Sequence, residues 1–131
     1  MNIESHKRAL KESLEEIRDS IQRGMTERQR TIGFHCSVAA ADMLEIYLHQ
    51  KGLIDPGASI KHDLFSSARK ATGKLPEFEN KKKLLKLMAD LERKRNLLCY
   101  GKPQTEKLME DFMQTFNRIK AIFKSMGVDC E

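Results

Sequence analysis

Apolar side chains recur along this chain at intervals of three and four, and the breaks between those runs divide it into helices. Ile3, Leu10, Leu14, Ile17 and Ile21 form one seam, which predicts a first helix over residues 5–24 with Ser5 as its N-cap. Gly24-Met25 interrupts the seam. Thr26-Glu27-Arg28-Gln29 then has the capping-box pattern that opens a second helix, running to about Lys51 and stopped by Gly52. On this helix Gly33, Ser37 and Ala41 lie four apart, a smooth face on which another helix can approach closely. Met43, Ile46 and Tyr47 thicken its far end.

Residues 52–61, GLIDPGASIK, read as a turn-rich linker. A short helix is predicted from His62 to Ala71, ended by Thr72-Gly73-Lys74-Leu75-Pro76. Leu84, Met88, Leu91 and Leu98 keep one side of a helical period over residues 81–100, which Gly101 and Pro103 close. A last helix over residues 104–127, capped by Thr105, carries Leu108, Met109, Phe112, Met113, Phe116, Ile119, Ile122, Phe123 and Met126. That face is wider than one neighbour covers, so this helix is expected to sit centrally or to contribute to a dimer. The tail from Val128 to Glu131, Cys130 included, is expected to fray. The plan is one all-α domain spanning residues 1–131, an antiparallel up-down bundle of four long helices and one short one.

Composition agrees with this plan. At 131 residues the chain can bury one real core, and the absence of Trp with only 6% aromatic residues argues against a strand-rich fold. No apolar run approaches a membrane span, and the N-terminal MNIESHKR passes straight into a charged helix without an apolar signal region. Three widely spaced cysteines, Cys36, Cys99 and Cys130, do not describe a disulfide framework, so a reducing cytoplasm is the expected setting.

Charge changes the picture more. The whole chain carries a surplus of +5, yet residues 81–102 alone hold eight basic side chains against two acidic ones. The excess belongs to one element. Lys81, Lys82 and Lys83 even oppose the dipole of the helix they open, although a solvated first turn is the ordinary reading of such a run. With a pI near 9.2, a nucleotide or nucleic-acid partner is compatible. Stepping along Leu84, Met88, Leu91, Arg95 and Leu98 places Arg95 on the apolar stripe, whereas Arg93 points nearly opposite. A guanidinium there either pairs with an internal carboxylate, snorkels to the core edge, or lines a cleft that receives a phosphate or carboxylate.

Several chemistries lack their motifs. The residues three before His6, His35, His49 and His62 are Ile3, Ile32, Ile46 and Ser59, so no Glu-x-x-His pair of the di-iron bundle type occurs. There is no Cys-x2–4-Cys for zinc, no Walker-type loop and no Gly-x-Ser-x-Gly elbow. No metal ligand and no cofactor is expected, and each histidine is by default a surface or capped residue.

Arg95-Asn96-Leu97-Leu98-Cys99-Tyr100-Gly101 resembles the signature of HEPN domains (higher eukaryotes and prokaryotes nucleotide-binding). These are small all-α proteins marked by Arg-x4–6-His near the end of the fourth helix, with a polar residue after the Arg. Tyr100 stands at the His position, as in a stand-alone branch with Arg-x4-Tyr-Gly. Phe34-His35-Cys36-Ser37-Val38-Ala39-Ala40 resembles the family's second-helix pattern Phe-His-x-x-x-Ala-Ala, although the Glu that often follows is here Ala41, with Asp42 next. His62-Asp63-Leu64 resembles the His-Asp-Leu that begins the third helix. The resemblance spans residues 26–125.

It implies a homodimer that binds nucleotide or RNA, and in active members a metal-independent endoribonuclease. Arg95 would hold and neutralise the phosphate, Asn96 would orient it, and Tyr100 would occupy the acid–base position. Lys94, Lys102, His35 and His62 would join Arg95 in binding nucleotide or RNA. A phenol with a pKa of about 10 is a poor general base at neutral pH, so binding is expected ahead of cleavage. Tyr100 can still donate to phosphate, stack on a base, or simply pack as an amphipathic helix-end residue. The alternatives are a non-catalytic partner of a minimal nucleotidyltransferase in a toxin–antitoxin-like pair, or a structural bundle whose basic helix is only solvated.

Overall fold

The computed structural model describes residues 2–58 and 60–131, with the side chains of His62 and Asp63 outside that description, and among the described residues every regular element is helical. Five α-helices follow in order: α1, Ile3–Gly24; α2, Gln29–Gln50; α3, Ala68–Lys74; α4, Lys81–Tyr100; and α5, Glu106–Ser125. A 3₁₀ turn over His62–Ser66 precedes α3. The expected short helix is therefore split, because Ser67 is extended and caps α3 afresh by accepting the Lys70 N–H at 3.2 Å. None of the helices is long and apolar enough to cross a membrane.

α1 begins two residues earlier than its seam suggests. Asn2 is extended and its Oδ1 accepts the Ser5 N–H at 2.9 Å, so Asn2 rather than Ser5 is the cap. Leu10, Leu14 and Ile17 are buried against α2.

The bundle is built around α2, which packs against α1, α4 and α5 and buries residues on all sides, among them Ile32, Cys36, Ala39, Ala40, Met43, Leu44 and Leu48. The wide face of α5 is filled within the single chain. Met109, Phe112, Phe116, Ile119 and Phe123 are buried where α5 meets α2 and α4, so α2 takes the central place that the width of α5 suggested for α5 itself. The small-residue face of α2 is used as its spacing predicts. An ideal Cβ at Gly33 would stand 3.2 Å from both Leu98 Cβ and Cys99 Sγ of α4. Glycine there lets the last turn of α4 lie directly on the first turns of α2.

The expected capping box at Thr26 does not form. α2 starts at Gln29 without a side-chain cap, and the Gln29 amide serves a distant segment instead. Its Nε2 donates to the Gln104 carbonyl and its Oε1 accepts the Gln104 N–H, both at 2.9 Å, which ties the turn after α4 to the head of α2. Lys81, read as part of a solvated turn, is buried. Its Nζ donates to the carbonyls of Thr72 and Leu75 at 3.1 and 2.8 Å and pairs with Glu77 at 3.0 Å. That lysine closes the C-terminal end of α3, the favourable place for a cation on a helix.

Two helices end in the same way. Gly52 at φ +66 and Gly127 at φ +96 adopt the left-handed conformation that lets Leu53 N–H reach Leu48 O (2.8 Å) and Val128 N–H reach Phe123 O (3.0 Å). The second of these turns overturns the frayed tail. Val128 and Cys130 fold back into the core, and Cys130 Sγ lies 3.4 Å from Met43 Sδ.

Burial pushes the Cys130 thiol up to about 11, its neighbours Lys120 and Lys124 only partly opposing this, and burial raises Cys36 as well. At pH 8 roughly one Cys130 in a thousand is thiolate, against about one in four for an unperturbed thiol. Native protein titrated with a disulfide reagent at pH 8 is therefore expected to react first at Cys99, the only cysteine not fully buried, and slowly at Cys130. Equal rates at Cys130 and Cys99 would restore the frayed tail. Gly33→Leu is expected to cost about 1–3 kcal/mol in urea unfolding, because the added side chain meets α4 with no room to turn aside.

Candidate functional site

The contact at Gly33 brings one face of α2 beside the last turn of α4. Arg30, Thr31, Phe34 and His35 from α2 and Arg95, Cys99 and Tyr100 from α4 line an open cleft of about 340 Å³. Three residues singled out in the sequence, Arg95, Tyr100 and His35, thus meet in one place.

Arg95 is 6% exposed, as its position on the apolar stripe predicts. Among the described residues its hydrogen-bond acceptor is Asn96 Oδ1, 3.1 Å from Nη1, and its buried Nε has no partner. The guanidinium carbon lies 5.4 Å from the centre of the Tyr100 ring, a cation–π distance. Tyr100 itself is 76% exposed and Phe34 48%. The cleft therefore presents a fixed cation flanked by two rings that water covers.

His35 is held from behind. Its ring meets Phe34 edge-on at 5.1 Å between centroids, and its Nδ1 stands 3.3 Å from Ser13 Oγ of α1. Cys99 is partly buried, and its Sγ donates to the Arg30 carbonyl at 3.8 Å. Burial raises the Cys99 thiol despite the opposing charges of Arg95 and Arg30, so it stays a neutral thiol rather than a nucleophilic thiolate.

The remaining candidates lie elsewhere. Lys94 pairs with Asp90 of its own helix at 2.8 Å and reaches Thr115 Oγ1 of α5 at 3.4 Å. Lys102 is exposed in the turn after α4, and its carbonyl accepts from Gln104 Nε2 at 3.1 Å. Asn96 does not line the cleft but steadies the Arg95 fork. The side chain of His62 lies outside the described residues. Arg30 and Thr31 carry no motif in the sequence, and Phe34 stands there only as part of a pattern. A Phe beside a His on the polar side of a helix that also carries Arg four residues earlier was the available signal.

Compared with protein-family models, curated proteins and solved structures, the chain matches none. The reading of the cleft therefore stands on its own chemistry: a guanidinium with donors to spare can hold a phosphate or carboxylate, and exposed rings beside it can stack on a flat base.

The clasp between Gln29 and Gln104 sets where α4 ends relative to α2. Gln29→Ala leaves both main-chain groups of Gln104 without their partner and is expected to cost about 1–3 kcal/mol. Amide exchange at Gln104 should quicken more than at Leu91 in the middle of α4, whereas uniform quickening would mean that the clasp is not local.

Proposed function

We propose that this protein is a HEPN-type nucleotide- or RNA-binding protein that works as a homodimer, with the Arg95–Tyr100 segment as its phosphate-binding edge. One observation carries the reading: a buried guanidinium, whose Nη1 donates to the neutral Asn96 amide and whose Nε makes no hydrogen bond, opens on a cleft rimmed by exposed rings. A guanidinium kept that far from water is costly unless an anion meets it. In the bound state Arg95 takes a phosphate through its outer N–H groups while Asn96 fixes the plane of the fork, and Tyr100 and Phe34 stack on the adjoining base.

The dimer has indirect support at the same end. Leu97, one helical turn before Tyr100, joins Phe34 and Tyr100 among the exposed large apolar side chains. A second copy seated there would cover them and bring a second Arg95 to the groove. Cleavage, where it occurs, needs a group that exchanges a proton with the RNA 2′-hydroxyl, and His35 is the imidazole that lines the cleft. His35 can act where the phenol of Tyr100 is poorly suited.

The test incubates purified protein with labelled single-stranded RNA in EDTA, with helix content of each variant checked by circular dichroism. Arg95→Ala is expected to weaken binding roughly tenfold or more and to flatten its dependence on salt. Tyr100→Ala should weaken it less steeply with salt, as a stacking contact does. If cleavage is seen, His35→Ala should abolish it while keeping most of the affinity. Equal behaviour of wild type and Arg95→Ala would remove the cleft as the site.

A further inference from the structure

We propose that His6 of α1 and Glu45 and His49 of α2 form a binding site for one divalent first-row transition metal ion, with Zn²⁺ as the first candidate. A ligand nitrogen from each histidine and a carboxylate oxygen of Glu45 lie within 4.8 Å of one another. Tetrahedral zinc with bonds of about 2.0–2.1 Å sets its donors about 3.3 Å apart, so small side-chain movements close the set on an ion.

The polar atoms at this place are otherwise hard to account for. His6 Nε2, Glu45 Oε2 and His49 Nε2 are each buried and none makes a hydrogen bond. His6 Nε2 and Glu45 Oε2 do stand in ion-pair contact, but without the alignment of a hydrogen bond. Three buried polar atoms converging without a hydrogen bond to any of them is a rare arrangement in a folded core.

The outer atoms of two of the three ligands are engaged. His6 Nδ1 faces Asp42 Oδ1 at 2.8 Å, which leaves Nε2 as the lone-pair nitrogen that a metal requires. Glu45 Oε1 accepts the Ile60 N–H, so its carboxylate is turned with Oε2 inward. The rings of His6 and His49 stack at 5.9 Å and 27°. Two imidazoles and one carboxylate suit zinc and its neighbours in the first row, whereas Mg²⁺ and Ca²⁺ call for shells of oxygen. Three protein ligands leave a fourth position for water.

A metal-free account exists: a doubly protonated His6 bridging Asp42 and Glu45. It leaves His49 Nε2 buried without a partner, and the ion gives that atom its role. The Glu-x-x-His spacing does not reveal this site. Here Glu45 and His49 are four apart on one face of α2, and the third ligand comes from α1. The site lies roughly 15–20 Å along α2 from His35, counting the helical rise, so it is separate from the cleft.

Full-length protein stripped with a chelator and desalted would be titrated with Co²⁺, read by its visible absorption, and then with Zn²⁺ by competition. One equivalent should bind, and Zn²⁺ at a hundredfold excess over Kd should raise Tm by roughly 5 °C or more, with Mg²⁺ inert. His49→Ala should abolish the Co²⁺ spectrum with helix content unchanged. Asp42→Asn, which alters only the positioning of His6, should weaken binding roughly 10–100-fold, and Arg95→Ala should leave it intact. Binding that is substoichiometric, or equal in wild type and His49→Ala, would overturn the site and leave the imidazolium bridge as the occupant.

Discussion

The approach of α4 to α2 across Gly33 is the contact on which the arrangement of this protein depends. With only hydrogen on that α-carbon, Leu98 and Cys99 settle against the backbone of α2 rather than against a side chain. The apolar stripe of α4 is thereby pressed inward up to its last turn, and Arg95, which lies on that stripe, goes with it. The guanidinium is thus drawn under the surface with the packing of its apolar neighbours. Gln29 secures the same junction from the other side by gripping both main-chain groups of Gln104. Helix contact and amide clasp together fix the end of α4, so the position of Tyr100 follows from constraints set well before it in the chain.

This has a consequence for the electrostatics of the basic helix. Its cations are not equivalent. Lys81 is consumed in closing α3, Lys94 is held by Asp90 and Thr115, and Arg93 pairs with Asp90 at the surface. Asp90 itself shows the pull of this arrangement: burial works to raise its carboxyl, but the hydrogen bond and charge of Lys94, with help from Thr115 and Arg93, leave it below its ordinary range. The charge count of the segment therefore overstates what is available to a ligand. Arg95 differs because the acceptor its Nη1 meets, Asn96 Oδ1, is neutral, and because its side chain borders an open cleft.

The long helices were legible because each presents an apolar stripe that a period of 3.6 reveals, and the smooth face through Gly33 announced a close neighbour. What the period could not show were interactions between segments far apart in sequence. Gln29 reads locally as the last residue of a capping box, and only the fold reveals that its partner lies 75 residues away. Cys130 reads as part of a short polar tail, yet the left-handed turn at Gly127 sends it back to Met43. Arg95 was recognisable from its register, but Arg30 and Phe34 were not, since nothing in one helix tells which of its polar-side residues will border a gap.

The two ends of α2 pose the same physical problem and resolve it differently. At the head, a permanent cation sits below the surface with N–H donors unspent, and any species that completes it must be an anion able to enter an open cleft. At the tail, ring nitrogens of His6 and His49 and a carboxylate oxygen of Glu45 converge without a hydrogen bond among them, and the species proposed to complete them is a cation small enough to reach buried atoms. A helix packed on all sides tolerates few unpaired polar atoms, because each lacks both water and a partner. That those found among the described residues gather at its two ends, and not along its middle, sets them apart from defects of packing. In the middle, the buried Ser37 finds its acceptor on the same helix, in the Phe34 carbonyl, whereas at the ends α1, the linker and α4 deliver supporting groups. Asp42 and Ile60 supply it at one end, Asn96 and Tyr100 at the other, and in each case the supporting residue orients the functional atom without using it up.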